Sequence, residues 1–275
     1  MNTMGKTMRT VPIVFERELT GGNISSVFTK GDIVYKERKP QSATVQRLLR
    51  HLQYKGVEFC PKPLGFDNAG REMLSFMNGS TVKDYPGVSS IAEKIEIVKR
   101  AASMLRGFHD ATIDFTKQPD DVWFLHYDGD LPKEVVCHND FAPYNIIFVN
   151  NLPVGLIDFD TACPAPRVWD IAYAAYRFVP LSEYVYDCAA GCYRDYSKSK
   201  DCEERKILLE GFLHAYGFDA DIEEYVMQRM SALIRLFDEE CAKDNPAFIQ
   251  MKQDGHQAFY IKEIEFIKEN FCDWK

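Results

Sequence analysis

The chain has 275 residues, 46% hydrophobic and 13% aromatic, which allows one large or two small domains with a substantial core. Its net charge of −8 argues against nucleic acid as a partner. The eight cysteines form no Cys-x-x-Cys pair and no group with histidine at zinc-ligand spacing, so we expect reduced thiols. We find no signal-peptide core and no apolar run of about 18 residues, and we therefore expect a cytoplasmic protein without a membrane partner.

The first part of the chain predicts a small lobe of β-strands and one helix. Gly5-Lys6-Thr7 looks like the end of a Walker A motif, but the earlier glycine and the preceding strand of that motif are absent. Residues 1–10 are therefore predicted to be a mobile tail. Residues 11–78 predict the lobe itself, with a helix over 42–55 whose apolar residues share one face. Apolar runs bounded by turn residues predict its strands, near residues 11–19, 26–29, 33–38, 62–67 and 71–77.

From residue 79 onward the pattern becomes mainly helical, so residues 79–275 predict a second, larger lobe. Ser90 and Glu93 form a capping box that begins a helix. Two short apolar strands interrupt the helical pattern, at 145–149 and 154–158. Helical periodicity predicts the remaining elements, near residues 168–178, 181–196, 203–216, 222–241 and 255–271. The expected fold class is α+β, with any ligand cleft between the two lobes.

Charge is divided unevenly between the two predicted lobes. Residues 1–78 hold 12 lysines and arginines against 7 acids, whereas residues 79–275 hold 21 against 34. A basic part beside an acidic part fits an anion held by the first and a cation held by the second. Solvated helix faces explain the acidic residues equally well, and the sequence leaves both interpretations open.

The segment from Val136 to Asp160 carries the chemistry. His138-Asn139-Asp140 is followed five residues later by Asn145, and Asp158 comes after a short predicted hairpin. Asp140 can orient an acceptor hydroxyl and take its proton, and the oxygens of Asn145 and Asp158 are ligands that Mg²⁺ prefers. Each residue alone is more often a turn residue or a cap, but the three together indicate a kinase.

These motifs resemble those of the aminoglycoside phosphotransferase and choline kinase family, small-molecule relatives of protein kinases. Beside the segment already described, two others resemble the family. Leu105–Thr112 is similar to its Leu-x-x-Leu-His segment, and Pro166–Tyr173 is similar to its Trp-Asp-Leu-Ala helix. The similarity runs from about residue 11 to residue 180 and is only general beyond that. It implies a protein-kinase-like two-lobe fold, with an antiparallel sheet and one helix in the small lobe.

The resemblance also implies roles for the matching residues. Asp140 would be the catalytic base, Asn145 and Asp158 the magnesium ligands, and His138 and Asp170 structural supports of the loop. The small lobe would hold ATP or GTP, its phosphates approached by the backbone of Gly21 and Gly22 and by Lys36 or Arg38. Strand alternation puts Lys36 and Arg38 on one face, and we favour Lys36 because it lies deeper in the strand. A simple hairpin turn is the alternative interpretation of the two glycines. The nucleotide and the acceptor are thus the predicted partners, and the oligomeric state stays open.

The sequence departs from protein kinases at two positions. The helix over residues 44–55 contains no acid to pair with Lys36, and Gln46 stands near the expected place of that glutamate. The residue two positions after Asp158 is Asp160 rather than the glycine of Asp-Phe-Gly. Asp160 could provide a second metal contact or a local cap.

The segment after Asp160 bears on the acceptor. Only three residues separate Asp160 from Pro164, too few for the long segment that presents peptide substrates, so a small hydroxylated acceptor is expected. The acidic second lobe favours a cationic acceptor such as an aminoglycoside or an amino alcohol, with Glu183, Asp187 and Asp238 as candidate contacts. Two alternatives stay open. One is a non-catalytic nucleotide-binding relative acting in immunity or sensing, and the other is a metal-dependent phosphohydrolase, which would need several histidine ligands.

Overall fold

The fold is taken from a computed structural model, which describes residues 17–19, 27–82, 87–187 and 190–275. Its N-terminal part is a five-stranded antiparallel sheet in the order β1-β2-β3-β5-β4. The strands are β1 (Arg17–Leu19), β2 (Val27–Lys30), β3 (Ile33–Lys36), β4 (Pro63–Phe66) and β5 (Glu72–Ser75). The predicted tail over residues 1–10 and the predicted phosphate-binding glycines Gly21 and Gly22 lie outside the described residues.

One helix, α1 (Ser42–Tyr54), packs on this sheet. Its predicted apolar stripe is buried, with Leu48, Leu49 and Leu52 at most 1% exposed. Burying each leucine contributes roughly 1.5–3 kcal/mol, so this stripe holds the helix against the sheet. The helix ends at Tyr54, and Gly56 follows with φ of 77°, a left-handed conformation that favours glycine.

The C-terminal part is mainly helical. Its helices are α2 (Ile91–Thr112), α3 (Arg167–Phe178), α4 (Lys198–Tyr216), α5 (Glu223–Ala242), α6 (Pro246–Gln253) and α7 (His256–Asn270). α2 packs against α4, and α5 packs against α7 and α3. Ser90 is the N-cap of α2 as predicted, although its side chain makes no capping hydrogen bond. The contiguous apolar core runs from α1 through α2 and α3 to the C-terminal helices.

Three two-stranded ribbons accompany the helices. They are β6 (Val135–Cys137) with β9 (Cys163–Ala165), β7 (Ile146–Val149) with β8 (Leu152–Leu156), and β10 (Tyr184–Asp187) with β11 (Cys192–Asp195). The second ribbon is the predicted hairpin, and its Asn150-Asn151 turn has positive φ at both residues. Left-handed backbone at both positions suits a tight hairpin turn, and asparagine adopts it readily.

The third ribbon lies where the sequence predicted a helix over residues 181–196, and that prediction was wrong. The stretch holds a hairpin instead, with Tyr184 opposite Asp195 and Asp187 opposite Cys192. Aromatic and β-branched residues follow one another from Tyr184 to Tyr186, and Gly191 with φ of 67° supplies the turn. The two strands of the β6–β9 ribbon were also absent from the prediction, because three residues are too few to show a period.

The sheet with one helix and the mainly helical part agree with the predicted α+β architecture. The division between residues 78 and 79 stays a prediction. In the stretches that the structure describes, none of the helices combines the length and the apolar character required of a membrane span.

Candidate active site

The loop that carries Asp140 is braced by Asp170 of α3. Asp170 is fully buried, and its carboxylate accepts hydrogen bonds from the backbone N–H groups of His138 at 2.6 Å and Asn139 at 2.9 Å. His109 of α2 lies 3.1 Å from the same carboxylate. Burial works against the charged form of Asp170, yet the hydrogen bond and charge of His109 outweigh it and lower the pKa of Asp170. The aspartate therefore stays ionised and fixes the start of the loop.

His138 and Asn139 complete this support. The His138 ring lies 3.0 Å from the Ile157 carbonyl oxygen through Nε2, which links the catalytic loop to the end of β8. Asn139 has a left-handed backbone with φ of 64°, and Arg229 of α5 donates to its carbonyl oxygen at 2.6 Å. Asparagine tolerates this conformation better than most residues. The carbonyl group is thus turned towards α5.

Both oxygens of the Asp140 carboxylate accept hydrogen bonds. Tyr144 donates to Oδ1 at 2.5 Å and Tyr173 donates to the same oxygen at 3.1 Å, while Asn145 Nδ2 donates to Oδ2 at 2.9 Å. Burial, followed by the charge of Asp140, raises the pKa of Tyr144 well above its usual value, and the same holds for Tyr173. The two phenols are therefore neutral donors that orient the carboxylate, and sequence analysis did not assign them this role.

Asn145 and Asp158 come from the two ends of the β7–β8 hairpin. The Ile157 N–H group donates to the Asn145 carbonyl oxygen at 2.9 Å, which places the residue before Asp158 beside Asn145. The Asn145 amide nitrogen is engaged with Asp140, so its side-chain oxygen is the group left for a cation. With the half-exposed Asp158 carboxylate it makes a hard oxygen donor set that fits Mg²⁺.

Lys36 of β3 forms ion pairs with Asp158 and Asp160. Its ammonium lies 2.8 Å from Asp158 Oδ1 and 3.0 Å from Asp160 Oδ1. Burial lowers the pKa of Lys36, but the charges of the two aspartates outweigh burial and raise it. Partial removal from water opposes the charge on Asp158, and Lys36 more than compensates, so the pKa of Asp158 is lowered. Both partners are charged at neutral pH.

Asp160, whose role the sequence left open, is held by the small lobe. Lys39 lies 2.8 Å from its Oδ2, Lys36 lies 3.0 Å from its Oδ1, and Gln41 donates to its carbonyl oxygen at 3.2 Å. Two lysines therefore converge on the aspartate that stands where protein kinases have glycine. Lys39 was missed in the sequence, because its partner Asp160 lies 121 positions away.

Arg38, the alternative to Lys36, takes another direction. Its side chain is exposed, and its guanidinium lies 4.6 Å from the centre of the Phe66 ring. β3 ends at Lys36, so the strand alternation that put both residues on one face does not extend to Arg38. The geometry favours Lys36 as the cleft-facing cation.

Two of the three predicted acceptor contacts, Asp238 and Asp187, pair with basic side chains. The Asp238 carboxylate lies 2.9 Å from the Lys252 ammonium, and Asp187 lies 3.8 Å from Arg194 within the β10–β11 hairpin. The Glu183 backbone N–H donates to Glu263 of α7 at 2.9 Å. The structure thus ties these residues to the hairpin and the last helices, while Tyr144 and Tyr173 surround Asp140.

The side of Asp140 that faces the last helices is aromatic and carries a cation. The Arg177 guanidinium lies 5.3 Å from the centre of the Tyr144 ring and 6.0 Å from that of Tyr176. Tyr260 of α7 joins this group, since burial and then the positive charge of Arg177 are the main influences on its pKa. An acceptor hydroxyl that reaches Asp140 would meet phenol rings and a guanidinium.

The described residues contain one group of potential metal ligands, formed by His109, Cys137 and Asp170, and all three side chains are fully buried. His109 and Asp170 already bond each other, and the Cys137 thiol donates to the Pro166 carbonyl oxygen at 3.3 Å. Burial raises the pKa of Cys137 well above its usual value. This group supports the loop, and it gives no histidine site of the kind that a phosphohydrolase would need.

Known proteins share both this sequence pattern and this fold. Residues 113–224 match the family described as "Phosphotransferase enzyme family". A spectinomycin phosphotransferase in complex with ADP and spectinomycin has the same fold, with a TM-score of 0.56, 11% identity, and coverage of 93% of this chain and 89% of that chain. The predicted resemblance to the phosphotransferase family is confirmed. A choline/ethanolamine kinase family protein from Mesorhizobium loti shares the fold too, with a TM-score of 0.51, 12% identity, and coverage of 94% and 93%. The protein-kinase-like two-lobe fold is therefore shown.

Two curated relatives match more locally. The trifolitoxin immunity protein of Rhizobium leguminosarum bv. trifolii is 38% identical over 173 residues, 62% of this chain and 62% of that protein. The homoserine kinase of Zymomonas mobilis is 36% identical over 89 residues, 30% of this chain and 28% of that enzyme. Both matches span less than two thirds of the relative's length, so the activities in these names are not transferred to this chain.

Proposed function

We propose that this protein is a small-molecule kinase that moves the γ-phosphate of ATP or GTP to a hydroxyl group of a small acceptor. The observation that carries the proposal is two bonded pairs of side chains, which meet where the Ile157 N–H group donates to the Asn145 carbonyl oxygen at 2.9 Å. Asp140 and Asn145 bond each other at 2.9 Å, and Lys36 bonds Asp158 at 2.8 Å. A base, two oxygen ligands for a cation and a phosphate-binding lysine are the parts that phosphoryl transfer requires.

In this proposal each residue acts through charge and position. Asp140 accepts the proton of the acceptor hydroxyl, and Tyr144 and Tyr173 hold its carboxylate in place. Lys36 turns from the aspartates to the nucleotide phosphates. Asn145 and Asp158 would hold Mg²⁺, which when bound neutralises phosphate charge. Such an enzyme draws on cellular ATP or GTP, so the cytoplasm is the proposed location.

Two observations bear on the class of the acceptor. The acidic balance of the second lobe supports a cationic acceptor, such as an aminoglycoside or an amino alcohol. The Arg177 guanidinium lies 5.3 Å from the centre of the Tyr144 ring, and an acceptor with both an amino group and a carboxylate, as in homoserine, would suit such a cation as well. The panel for the activity test therefore includes aminoglycosides, choline, ethanolamine and homoserine.

The test is Mg²⁺-dependent ATP and GTP turnover with that panel, comparing the wild type with Asp140→Asn. We expect acceptor-dependent release of ADP or GDP in the wild type and a loss of at least about 100-fold in the variant. Asp120→Asn is the matched control, because it makes the same change at an exposed carboxylate, and it should retain activity. Nucleotide binding without turnover on any acceptor, or unchanged activity in Asp140→Asn, would contradict the proposal.

The second candidate is a non-catalytic nucleotide-binding relative that acts in immunity. The name of the relative that is 38% identical supports it, since that protein is a trifolitoxin immunity protein. Cells that express the wild type or Asp140→Asn can be grown in the presence of trifolitoxin. Equal protection by both forms would support the non-catalytic candidate, whereas protection that requires Asp140 would support transfer chemistry.

A further inference from the structure

Strand β5 places an acid directly opposite Lys36. Lys36 and Glu72 are partners in the antiparallel register of β3 and β5, so their side chains lie on the same face of the sheet. Both are buried, with Lys36 at 8% and Glu72 at 1% exposure. A carboxylate and an ammonium at adjacent buried positions influence each other strongly, because little water screens their charges.

Helix α1 holds this acid in place. Gln46 Nε2 donates to Glu72 Oε1 at 2.9 Å, and the Ser42 hydroxyl donates to Oε2 at 3.2 Å. The Gly65 N–H group donates to Gln46 Oε1 at 2.9 Å, which fixes the direction of the amide. α1 itself contains no acid, and Gln46 stands where protein kinases have the glutamate that pairs with the lysine. The helix thus contributes the support, and the strand contributes the charge.

We propose that Glu72 is the positioning residue for Lys36 and replaces the missing helix glutamate. The inference rests on the proposed nucleotide-dependent function. In the structure the Lys36 ammonium pairs with Asp158 and Asp160. When nucleotide phosphates take the place of these partners, Glu72 is the acid that remains opposite Lys36 on the neighbouring strand. Burial raises the pKa of Glu72, while the Gln46 hydrogen bond and the charge of Lys36 act to lower it, so the pair is electrostatically linked.

The experiment is a double-mutant cycle on nucleotide affinity, measured by calorimetry with ATP and no acceptor. Glu72→Gln is combined with Lys36→Met, and each protein is also checked by thermal unfolding. The amide that Glu72→Gln introduces can accept from Gln46 and donate to the Ser42 hydroxyl, so the fold should be retained. We expect Glu72→Gln to weaken ATP binding about tenfold in the wild type and less than about twofold beside Lys36→Met. Equal weakening in both backgrounds would overturn the inference.

Exchanging the acid and the amide between positions 72 and 46 tests whether the negative charge near Lys36, rather than the packing of Glu72, supports ATP binding. The double variant Gln46→Glu with Glu72→Gln moves the acid to the helix and keeps an amide opposite it. The exchange removes the bond that Gln46 Nε2 donates to the Met73 carbonyl oxygen at 3.1 Å, so we expect a lower Tm but ATP affinity within about threefold of the wild type. If Glu72→Gln alone unfolds, this variant carries the test, and a folded protein without ATP affinity would refute the positioning role. Glu37→Gln, an exposed neighbour of Lys36, is the control and should bind as the wild type.

The outcomes distinguish the two proposals. A wild type that does not bind nucleotide would overturn both the kinase proposal and the role of Glu72. A wild type that binds ATP beside a Glu72→Gln variant of equal affinity would overturn the role of Glu72 alone.

Discussion

Replacing the buried carboxylate of Asp170 should loosen the catalytic loop and destabilise the C-terminal part. In Asp170→Asn the shape is kept, but one of the two former carboxylate oxygens becomes an NH₂ group that faces an N–H donor. Three bonds are affected, at 2.6 Å to His138, 2.9 Å to Asn139 and 3.1 Å to His109. The cost of breaking one partner of a buried charged network is about 3–5 kcal/mol.

Thermal unfolding measures this cost directly. For a chain of this size, about 3–5 kcal/mol corresponds to a fall in Tm of roughly 6–10 °C. Asp238→Asn is the matched control, because the same change is made at an exposed carboxylate paired with Lys252, and its Tm should stay within about 1 °C of the wild type. If the Tm of Asp170→Asn fell no further than that of Asp238→Asn, the argument for Asp170 as the brace would be refuted.

The effect of Asp170→Asn should also depend on pH. The folded-state pKa of Asp170 is lowered, while the unfolded value is near 3.9, so its contribution to stability is fully present above that pH. It is lost as the pH falls through the folded-state pKa. The difference in Tm between the wild type and the variant should therefore be constant from roughly pH 6 to 8 and shrink below about pH 4. A difference that grows on acidification would contradict this assignment.

Three further predictions concern the cleft and the thiols. Lys36→Met should weaken ATP binding about 100-fold in calorimetry, and Arg38→Met less than about threefold, since Lys36 pairs with Asp158 whereas Arg38 packs on Phe66. Equal losses would contradict this. Tyr144→Phe should lower kcat about tenfold, because the variant loses the hydrogen bond of 2.5 Å to the Asp140 carboxylate, while the Tm should change by no more than a few degrees. An unchanged kcat would refute the orienting role of Tyr144. Iodoacetamide should modify the exposed Cys192 and leave the native Cys163 unmodified, because burial raises the pKa of that thiol to about 11, and mass spectrometry of digests reads both sites.

The parts of the fold that have a long local pattern could be predicted from the sequence. The stripe of α1 and the hairpin around Asn150-Asn151 are encoded in neighbouring residues, and both form as expected. The helix predicted over residues 181–196 was wrong because a stretch that mixes aromatic and polar residues fits either a helix or two strands, and packing against α7 decides between them. Glu263 of α7 accepts from Ser182 at 3.2 Å and from the Glu183 N–H group, contacts that span about 80 residues of sequence.

The same distinction applies to the candidate site. Asp140 and Asn145 were predicted because they lie only five positions apart in one loop, and Lys36 was predicted from its position in a strand. The contacts of Asp160 with Lys39 and of Glu72 with Gln46 join residues 121 and 26 positions apart, and no local spacing indicates them. Their roles depend on which strands become neighbours in the sheet, and a sequence shows this only after the register is known.

The contact between Arg229 and Asn139 links the catalytic loop to a helix that begins about 80 residues after it. With Asp170 on α3 and His109 on α2, three separate helices determine where Asp140 stands. The geometry of the proposed reaction centre therefore depends on the assembled C-terminal helices as well as on the short motif that indicates it. A homologous chain could retain every residue of the motif and still misplace its aspartate if the arginine on α5 were absent.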